Sequence, residues 1–116
     1  MIEVEQALIG LAVESWRFSR AFARLARKLD IADAARYASQ LDYFEKTIEE
    51  SLQAAALTLV NLEGHEFDPG MAVTALNLGD FSAEDRLLVD QMIEPIVMSR
   101  DGLRRQGIVA LRKWPR

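Results

Sequence analysis

The chain has 116 residues, of which half are hydrophobic and 28% are charged, a balance that is typical of a folded globular protein and excludes disorder as its main state. Its formal net charge of −4 gives no overall attraction to nucleic acid or to an anionic membrane, and no apolar run approaches the roughly 20 residues that cross a bilayer. The absence of cysteine excludes disulfides, thiolate metal sites and cysteine nucleophiles, and together with an N-terminus that does not resemble a secretory signal it favours a cytoplasmic location.

Residues 3–29 are predicted to form one amphipathic helix. Large apolar residues recur there at alternating steps of four and three, which is the spacing of a seam along which helices pack. The seam consists of Val4, Leu8, Leu11, Ser15, Phe18, Phe22, Leu25 and Leu29. Gly10 is unfavourable in mid-helix, so either close packing compensates for it or the helix begins after it.

A second helix is predicted from the capping residues Asp30 and Asp33 to about Ala55. Because the connection is short, the two helices are expected to be antiparallel neighbours. Their apolar faces are wider than a single hairpin covers, so either a second copy completes a dimeric four-helix bundle or the C-terminal region folds back over the helices of a monomer. We expect the homodimer, and we expect Phe22→Glu to abolish it. The predicted dimerisation residues are Leu8, Leu11, Phe18, Phe22, Leu41, Phe44 and Ile48.

From Leu57 onward the sequence predicts a small β-rich domain, which gives expected domains of 1–56 and 57–116 and an α+β fold class. Pro95 indicates an edge or a bulge within one of the strands. The segment Ser82–Asp85 resembles a capping box, so a short helix over 83–92 is the alternative to a strand there. The extended segments are predicted at 57–62, 71–76, 87–98 and 103–114, with loops at 63–70 and 77–85 and a hairpin turn at 99–102.

Few residues of the chain suggest catalysis. The single histidine, His65, lies in a predicted turn, where a solvated role is expected. Glu45, Glu49 and Glu50 lie on the second helix, but a carboxylate metal site in a bundle also needs Glu-x-x-His motifs, which neither helix contains. Phosphate-binding glycine loops and serine-nucleophile motifs are absent from the sequence. We therefore expect a protein that is not an enzyme, with no catalytic, cofactor-binding or metal-binding residues.

The charged residues form separate acidic and basic groups along the chain. Eight acids and only one base, Arg86, lie between Glu63 and Glu94, where a solvated acidic surface is expected. Arginines recur at helical spacing on the first helix, and other bases crowd the C-terminal segment. We expect the helix arginines to be solvated or paired with acids of the second helix, rather than to bind nucleic acid.

The segment Gly64–Pro69 reads Gly-His-Glu-Phe-Asp-Pro and resembles the Gly-x-x-Phe-Asp-Pro segment near the entry to the β-domain of the GrpE nucleotide exchange factors. Leu103-Arg104 resembles the start of that family's Leu-Arg-Pro-Ala sequence, and dimerising helices followed by a small β-domain are similar to its layout. The chain departs from the family pattern at Gly70-Met71, Ile96-Val97 and Arg105-Gln106.

The resemblance implies a non-enzymatic, protein-binding cofactor of a DnaK-type chaperone. Its β-domain would insert against one lobe of the chaperone ATPase and favour the open nucleotide cleft, because a ligand with higher affinity for the open state shifts the equilibrium and speeds ADP release. The same resemblance implies partner contacts at Phe67, Asp68, Pro69 and Arg104. The alternative is a dimeric accessory or regulatory subunit of another protein assembly, which uses the same helical face.

Overall fold

The computed structural model describes residues 3–114 as two α-helices followed by six short β-strands. The fold class is therefore α+β, as predicted, and the two helices contact each other as a hairpin. The chain divides into a helical unit that ends at Thr58 and a β unit that begins at Leu59. Within residues 3–114, no helix combines the length and apolar character that crossing a membrane requires. The elements are α1 (Val4–Ala26), α2 (Ile31–Ala54), β1 (Leu57–Val60), β2 (Val73–Ala75), a short 3-10 helix (Leu78–Asp80), β3 (Leu87–Glu94), β4 (Ile96–Ser99), β5 (Gly102–Arg105) and β6 (Gly107–Lys113).

The first helix begins before Gly10, so the alternative of a later start is wrong. A Cβ atom built on Gly10 would meet no described atom within 4 Å. Close packing against other side chains of the helical unit therefore does not account for this glycine, whose cost to the helix is about 1 kcal/mol relative to alanine.

The second helix begins at its predicted cap. The backbone N–H of Asp33 donates a hydrogen bond to Asp30 Oδ1 at 3.0 Å, which satisfies a donor that the first turn leaves without a partner. Between the helices, the rings of Phe22 and Tyr37 meet edge to face with their centroids 6.0 Å apart. The helix ends before Ala56, whose φ of 60° is the left-handed conformation that usually follows a helix C-terminus.

The strands form two three-stranded sheets, with the orders β1-β4-β5 and β2-β6-β3. Strands β4 and β5 form the predicted antiparallel hairpin, in which Gly102 has a φ of 126°. In the second sheet β3 runs antiparallel to β6, whereas β2 runs parallel to it. The extended segment predicted at 87–98 is interrupted at Pro95, which lacks an N–H and marks the point where the chain passes from the second sheet to the first.

The alternative of a helix over 83–92 is wrong, because β3 occupies this segment. The hydrogen bonds of a capping box nevertheless form. Ser82 N–H donates to Asp85 Oδ2 at 2.9 Å, and Glu84 N–H donates to Ser82 Oγ at 3.3 Å. They close a turn instead of starting a helix, because the apolar residues that follow are buried as part of a sheet.

The core of the β unit consists of strand side chains. Gly107 lies in this core, and a Cβ atom there would approach Met92 Cε to 2.7 Å and Glu94 O to 2.9 Å. The carboxylate of Glu94 is buried and accepts a hydrogen bond from Arg105 at 2.9 Å. The buried apolar residues of β3, β4 and β6 are Leu87, Leu88, Val89, Met92, Ile96, Val97, Val109 and Leu111.

Candidate protein-interaction surfaces

One side of α1, which we call the outer face of α1, is exposed along its whole length. It comprises Val4, Ala7, Leu11, Glu14, Phe18, Ala21 and Leu25, which follow one another at steps of three and four. Its four large apolar side chains recur at every seventh position, and they are 86%, 68%, 63% and 62% exposed in chain order. A row of this kind is more than the scattered apolar residues that an ordinary protein surface carries, and it makes this face a candidate interaction surface.

The buried side of α1 is built mainly from smaller residues. Its buried positions are Ile9, Ala12, Val13, Ser19 and Ala26. The larger Leu8, Trp16 and Phe22 are half-buried, so α1 has apolar side chains on both its buried and its exposed side, which is unusual for a helix that packs only within its own chain.

The seven predicted dimerisation residues fall into two groups in the structure. Leu8, Phe22, Leu41 and Ile48 are half-buried. Because Phe22 contacts Tyr37, the predicted effect of Phe22→Glu would include damage to the hairpin itself. The other three predicted residues are exposed. Four further large apolar residues are exposed but were not predicted to take part in dimerisation, namely Val4, Leu25, Ile31 and Tyr43. The exposed predicted residues are Leu11, Phe18 and Phe44.

Charge is segregated along α1 and the turn that follows it. The acids lie in the first half, at Glu3, Glu5 and Glu14, whereas the second half and the turn contain only bases. Within the helix, Arg17 pairs with Glu14 at 3.8 Å. The bases are Arg17, Arg20, Arg24, Arg27 and Lys28.

The sequence predicts that arginines of α1 interact with acids of α2, and Arg20 interacts in this way with Glu45. Its guanidinium lies 4.3 Å from the centre of the Trp16 ring and acts electrostatically on Glu45 of α2. Desolvation raises the pKa of Glu45, the positive charge of Arg20 opposes that rise, and the neighbouring acids Asp42 and Glu49 add to it.

The β unit carries a groove of about 640 Å³, which we call the β-unit groove. The Phe-Asp-Pro segment forms one side of it, while β2 and the 3-10 helix contribute to the other. Polar groups of Glu66, Asp85 and Arg86 also line it. Its main apolar residues are Phe67, Pro69, Val73, Leu78, Phe81 and Leu87. A mostly apolar concavity with a few polar groups is the usual form of a binding site.

Backbone pairing with β3 positions Phe67 in this groove. The N–H of Phe67 donates to Leu87 O at 2.7 Å, and the N–H of Val89 donates to His65 O at 2.9 Å. After Phe67 the chain turns, because Asp68 Oδ1 accepts a hydrogen bond from the N–H of Gly70 at 3.2 Å. Phe67 is consequently half-buried in the groove wall, while the side chains of Asp68 and Pro69 are exposed beside it.

Strand β6 holds the opposite wall. The side-chain amide of Asn77 donates to Leu111 O and accepts from Leu111 N–H, both at 2.9 Å, and so continues the pairing of β2 with β6 beyond the end of β2. The N–H of Leu76 donates to Val109 O at 2.9 Å. These contacts hold the segment whose residues Val73, Ala75 and Leu78 line the groove. Sequence reasoning did not assign those three residues to a site, because their only signal was a strand-like run followed by an asparagine.

An ion pair borders the groove. Arg86 donates two hydrogen bonds of 3.1 Å to the carboxylate of Glu66, and its guanidinium lies 4.2 Å from the centre of the Trp114 ring. The hydrogen bonds hold the pKa of Glu66 below its ordinary value and raise the pKa of Arg86. The geometry fixes a planar cation between a carboxylate and an aromatic ring at the groove edge.

Arg104, the fourth predicted partner-binding residue, lies on β5 in the other sheet and pairs with Asp101 at 3.8 Å. It does not line the β-unit groove, so the described residues do not bring it together with Phe67 and Pro69 in that concavity.

The basic residues near the C-terminus are largely paired with acids. Arg105 pairs with Glu94 at 2.9 Å, Arg112 pairs with Asp90 at 3.1 Å and Lys113 pairs with Asp85 at 3.9 Å. The expectation of a solvated acidic surface is therefore revised for these three acids, whereas Arg116 lies outside the described residues.

Between residues 3 and 114, no cluster of three acidic or histidine side chains is arranged to hold a metal ion. His65 is exposed in its turn. Comparison with protein-family models, with curated proteins and with solved structures finds no match to this chain. The outer face of α1 and the β-unit groove are the features from which a function has to be inferred.

Proposed function

We propose that this protein is a non-enzymatic adaptor whose helical unit self-associates and whose β unit binds another protein. The exposed row of large apolar side chains on the outer face of α1 is the observation that carries this proposal. Leaving such a row in water is unfavourable by about 25 cal/mol for each Å² of apolar surface, so covering it with a second copy is strongly favoured. Tyr43 and Phe44 are exposed apolar side chains on α2 as well.

In its most concrete form the adaptor is a GrpE-like nucleotide exchange cofactor of a DnaK-type chaperone. The Phe-Asp-Pro segment supports this form, because Phe67 and Pro69 line the β-unit groove and Asp68 is exposed between them in the chain. A β unit that binds the open ATPase more tightly than the closed one would accelerate ADP release, and a ligand with equal affinity for both states would have no effect. Such a cofactor would act in the cytoplasm, without a metal or an organic cofactor of its own.

One observation favours the second candidate, a dimeric accessory or regulatory subunit of another assembly. Arg104 pairs with Asp101 on the β4–β5 hairpin and does not line the groove beside Phe67 and Pro69. The residues that carry the resemblance therefore do not share one concavity, and the groove suits any protein that offers an apolar segment with complementary charge.

Self-association is tested by sedimentation equilibrium of the parent chain and of Phe18→Glu. The substitution introduces a charge into the proposed interface, and we expect it to weaken dimerisation at least 100-fold. Leu76→Glu is the matched control, because Leu76 is 64% exposed, close to the 63% of Phe18, and lies in the β unit. A parent chain that sediments as a monomer at all concentrations would contradict the proposed dimer.

Chaperone binding is tested by the release of fluorescent ADP from the DnaK-type chaperone of the same organism. We expect the parent chain to accelerate release, and we expect the double substitution Asp68→Ala, Pro69→Ala to reduce that acceleration at least tenfold. Gln91→Ala, an exposed position on β3, is the control. If a saturating concentration of the dimer neither accelerates release nor binds the chaperone, the accessory-subunit candidate replaces the exchange cofactor.

A further inference from the structure

We infer that two copies of the chain pair antiparallel along the outer faces of α1, with the two-fold axis level with Trp16. The inference rests on the proposed self-association and adds the direction and the register of the two helices. Both follow from how charge and side-chain size are distributed along the outer face and its flanks.

The distribution of charge favours the antiparallel direction. The acids Glu3, Glu5 and Glu14 lie in the first half of the helix, and the five bases lie in its second half and the following turn. A parallel, in-register pair would set the basic half of one copy against the basic half of the other. An antiparallel pair sets the acidic half of each copy against the basic half of its partner, which gives electrostatic complementarity across the interface, and it also opposes the two helix dipoles.

The distribution of side-chain size favours one register. An axis midway between positions 12 and 13 would also set large side chains on small ones, but it would leave the exposed Leu25 uncovered, whereas an axis level with position 16 covers it. Ala7 and Leu25 lie equally far from position 16 on the outer face, and so do Leu11 and Ala21. When the axis is level with that position, Leu25 packs on the partner's Ala7 and Leu11 packs on the partner's Ala21. Large side chains then meet small ones, which lets two helices interdigitate without voids.

Three residues of the outer face remain, namely Val4, Glu14 and Phe18. Val4 becomes level with the partner's Lys28, at the edge of the paired region. Glu14 becomes level with the partner's Phe18 and lies within one residue of the level of the partner's Arg17. A parallel pair would instead place Glu14 directly against the partner's Glu14, which is unfavourable for two like charges at an interface. It would also set alanine on alanine at positions 7 and 21 and leave gaps there.

The absence of cysteine from the sequence makes disulfide cross-linking a direct test. In the antiparallel pair, Leu25 of one copy is level with Ala7 of the other. The two copies of Leu25 are therefore about 27 Å apart along the helices, because each residue adds about 1.5 Å. A disulfide needs Cα atoms within about 7 Å. We therefore expect Ala7→Cys and Leu25→Cys proteins, mixed and mildly oxidised, to give at least ten times more covalent dimer than either protein alone.

A second pair, Leu11→Cys with Ala21→Cys, repeats the test with equivalent residues about 15 Å apart. Sedimentation of each reduced variant first establishes that it still associates, and variants that remain dimers are used. If each single variant cross-links with itself and the mixtures add nothing, the pair is parallel. If the variants associate but neither mixture cross-links, this register is excluded. Either result overturns the inference while the proposed dimer stands, whereas a monomeric parent chain would overturn both.

Discussion

The helical unit and the β unit differ in where they place their large apolar side chains. In the β unit, Met92, Val97 and Val109 are almost completely buried. In the helical unit, α1 buries mostly small residues and exposes Leu11 and Phe18. Similar apolar residues therefore have different positions in the two units: the β unit buries them in a core of its own, whereas the outer face of α1 leaves them exposed, which is the basis of the proposed self-association. The stability of the helical unit should consequently depend on protein concentration, because association stabilises the folded state by mass action.

The largest change in stability is expected for a substitution of the buried Met92, and comparison with the exposed Phe18 tests the difference between the two units. Met92→Ala should lower the free energy of unfolding by about 2–5 kcal/mol at every protein concentration, because it leaves a cavity in the core. Phe18→Ala should change the stability of the dilute monomer by less than about 0.5 kcal/mol, since its side chain is exposed, but lower it clearly at concentrations that favour the dimer. Urea unfolding at several protein concentrations measures both. A large loss for Phe18→Ala in dilute solution would show that the helical unit covers this residue itself.

Two glycines should respond to alanine with opposite signs, and the larger response belongs to the β unit. Gly107→Ala should destabilise the chain by about 1–3 kcal/mol, because the added Cβ would lie 2.7 Å from Met92 Cε and 2.9 Å from a backbone oxygen. Thermal unfolding followed by circular dichroism measures the loss. An unchanged midpoint would mean that the core around Gly107 is looser than its short distances indicate.

The helical glycine should behave in the opposite way. Gly10→Ala should stabilise the chain by about 1 kcal/mol, because alanine favours the helix and its Cβ would meet no described atom within 4 Å. The same unfolding experiment serves for both glycines, and each acts as the control for the other. Destabilisation by Gly10→Ala would indicate that another molecule packs closely on this position.

The smallest expected effect is a pH dependence that also differs between the units. The folded pKa of Glu45 is raised, chiefly by desolvation, so its ionisation lowers stability as the pH rises from the ordinary carboxyl value through the folded value. Glu45→Gln should therefore stabilise the chain at neutral pH, by about 0.5 kcal/mol or less because the site is largely solvated.

Glu66 should respond with the opposite sign, because hydrogen bonds from Arg86 lower its folded pKa. The stability that this pair contributes is present above the ordinary carboxyl pKa and is lost as the pH falls through the folded value. Glu66→Gln should remove that part of the acid dependence. Unfolding free energies measured between pH 3 and pH 8 for the parent and both variants test the two opposite effects together. If Glu45→Gln and Glu66→Gln change the pH dependence of stability in the same direction, one of the two pKa shifts is wrong.

Much of the fold could be predicted from local pattern. Apolar spacing predicted both helices, and Asp30 identified the start of α2. Turn residues separated four predicted extended segments, but two of these, 87–98 and 103–114, each form two strands that lie in different sheets. The competing helix over 83–92 looked plausible because its capping box is real, but long-range burial of β3 outweighed that local preference. The direction of the apolar face of α1 was harder to predict, since its apolar residues cover so much of the helix that either side could face inward.

The candidate surfaces were predicted less completely than the fold. The Phe-Asp-Pro segment drew attention to Phe67, which lines the groove, but Arg104 does not line it. The opposite wall depends on contacts such as that between Asn77 and Leu111, which are 34 residues apart. No pattern of neighbouring residues identifies a pairing over such a separation, so this wall became visible only in three dimensions.

The parallel pairing of β2 with β6 also sets an order of events during protein synthesis. A ribosome delivers both helices first, then β2, and only much later the strand on which β2 must lie. One wall of the groove therefore cannot be completed until Gly107–Val109 has emerged, whereas the outer face of α1 is already available to a neighbouring chain. The proposed pairing of two copies would therefore precede completion of the β-unit groove.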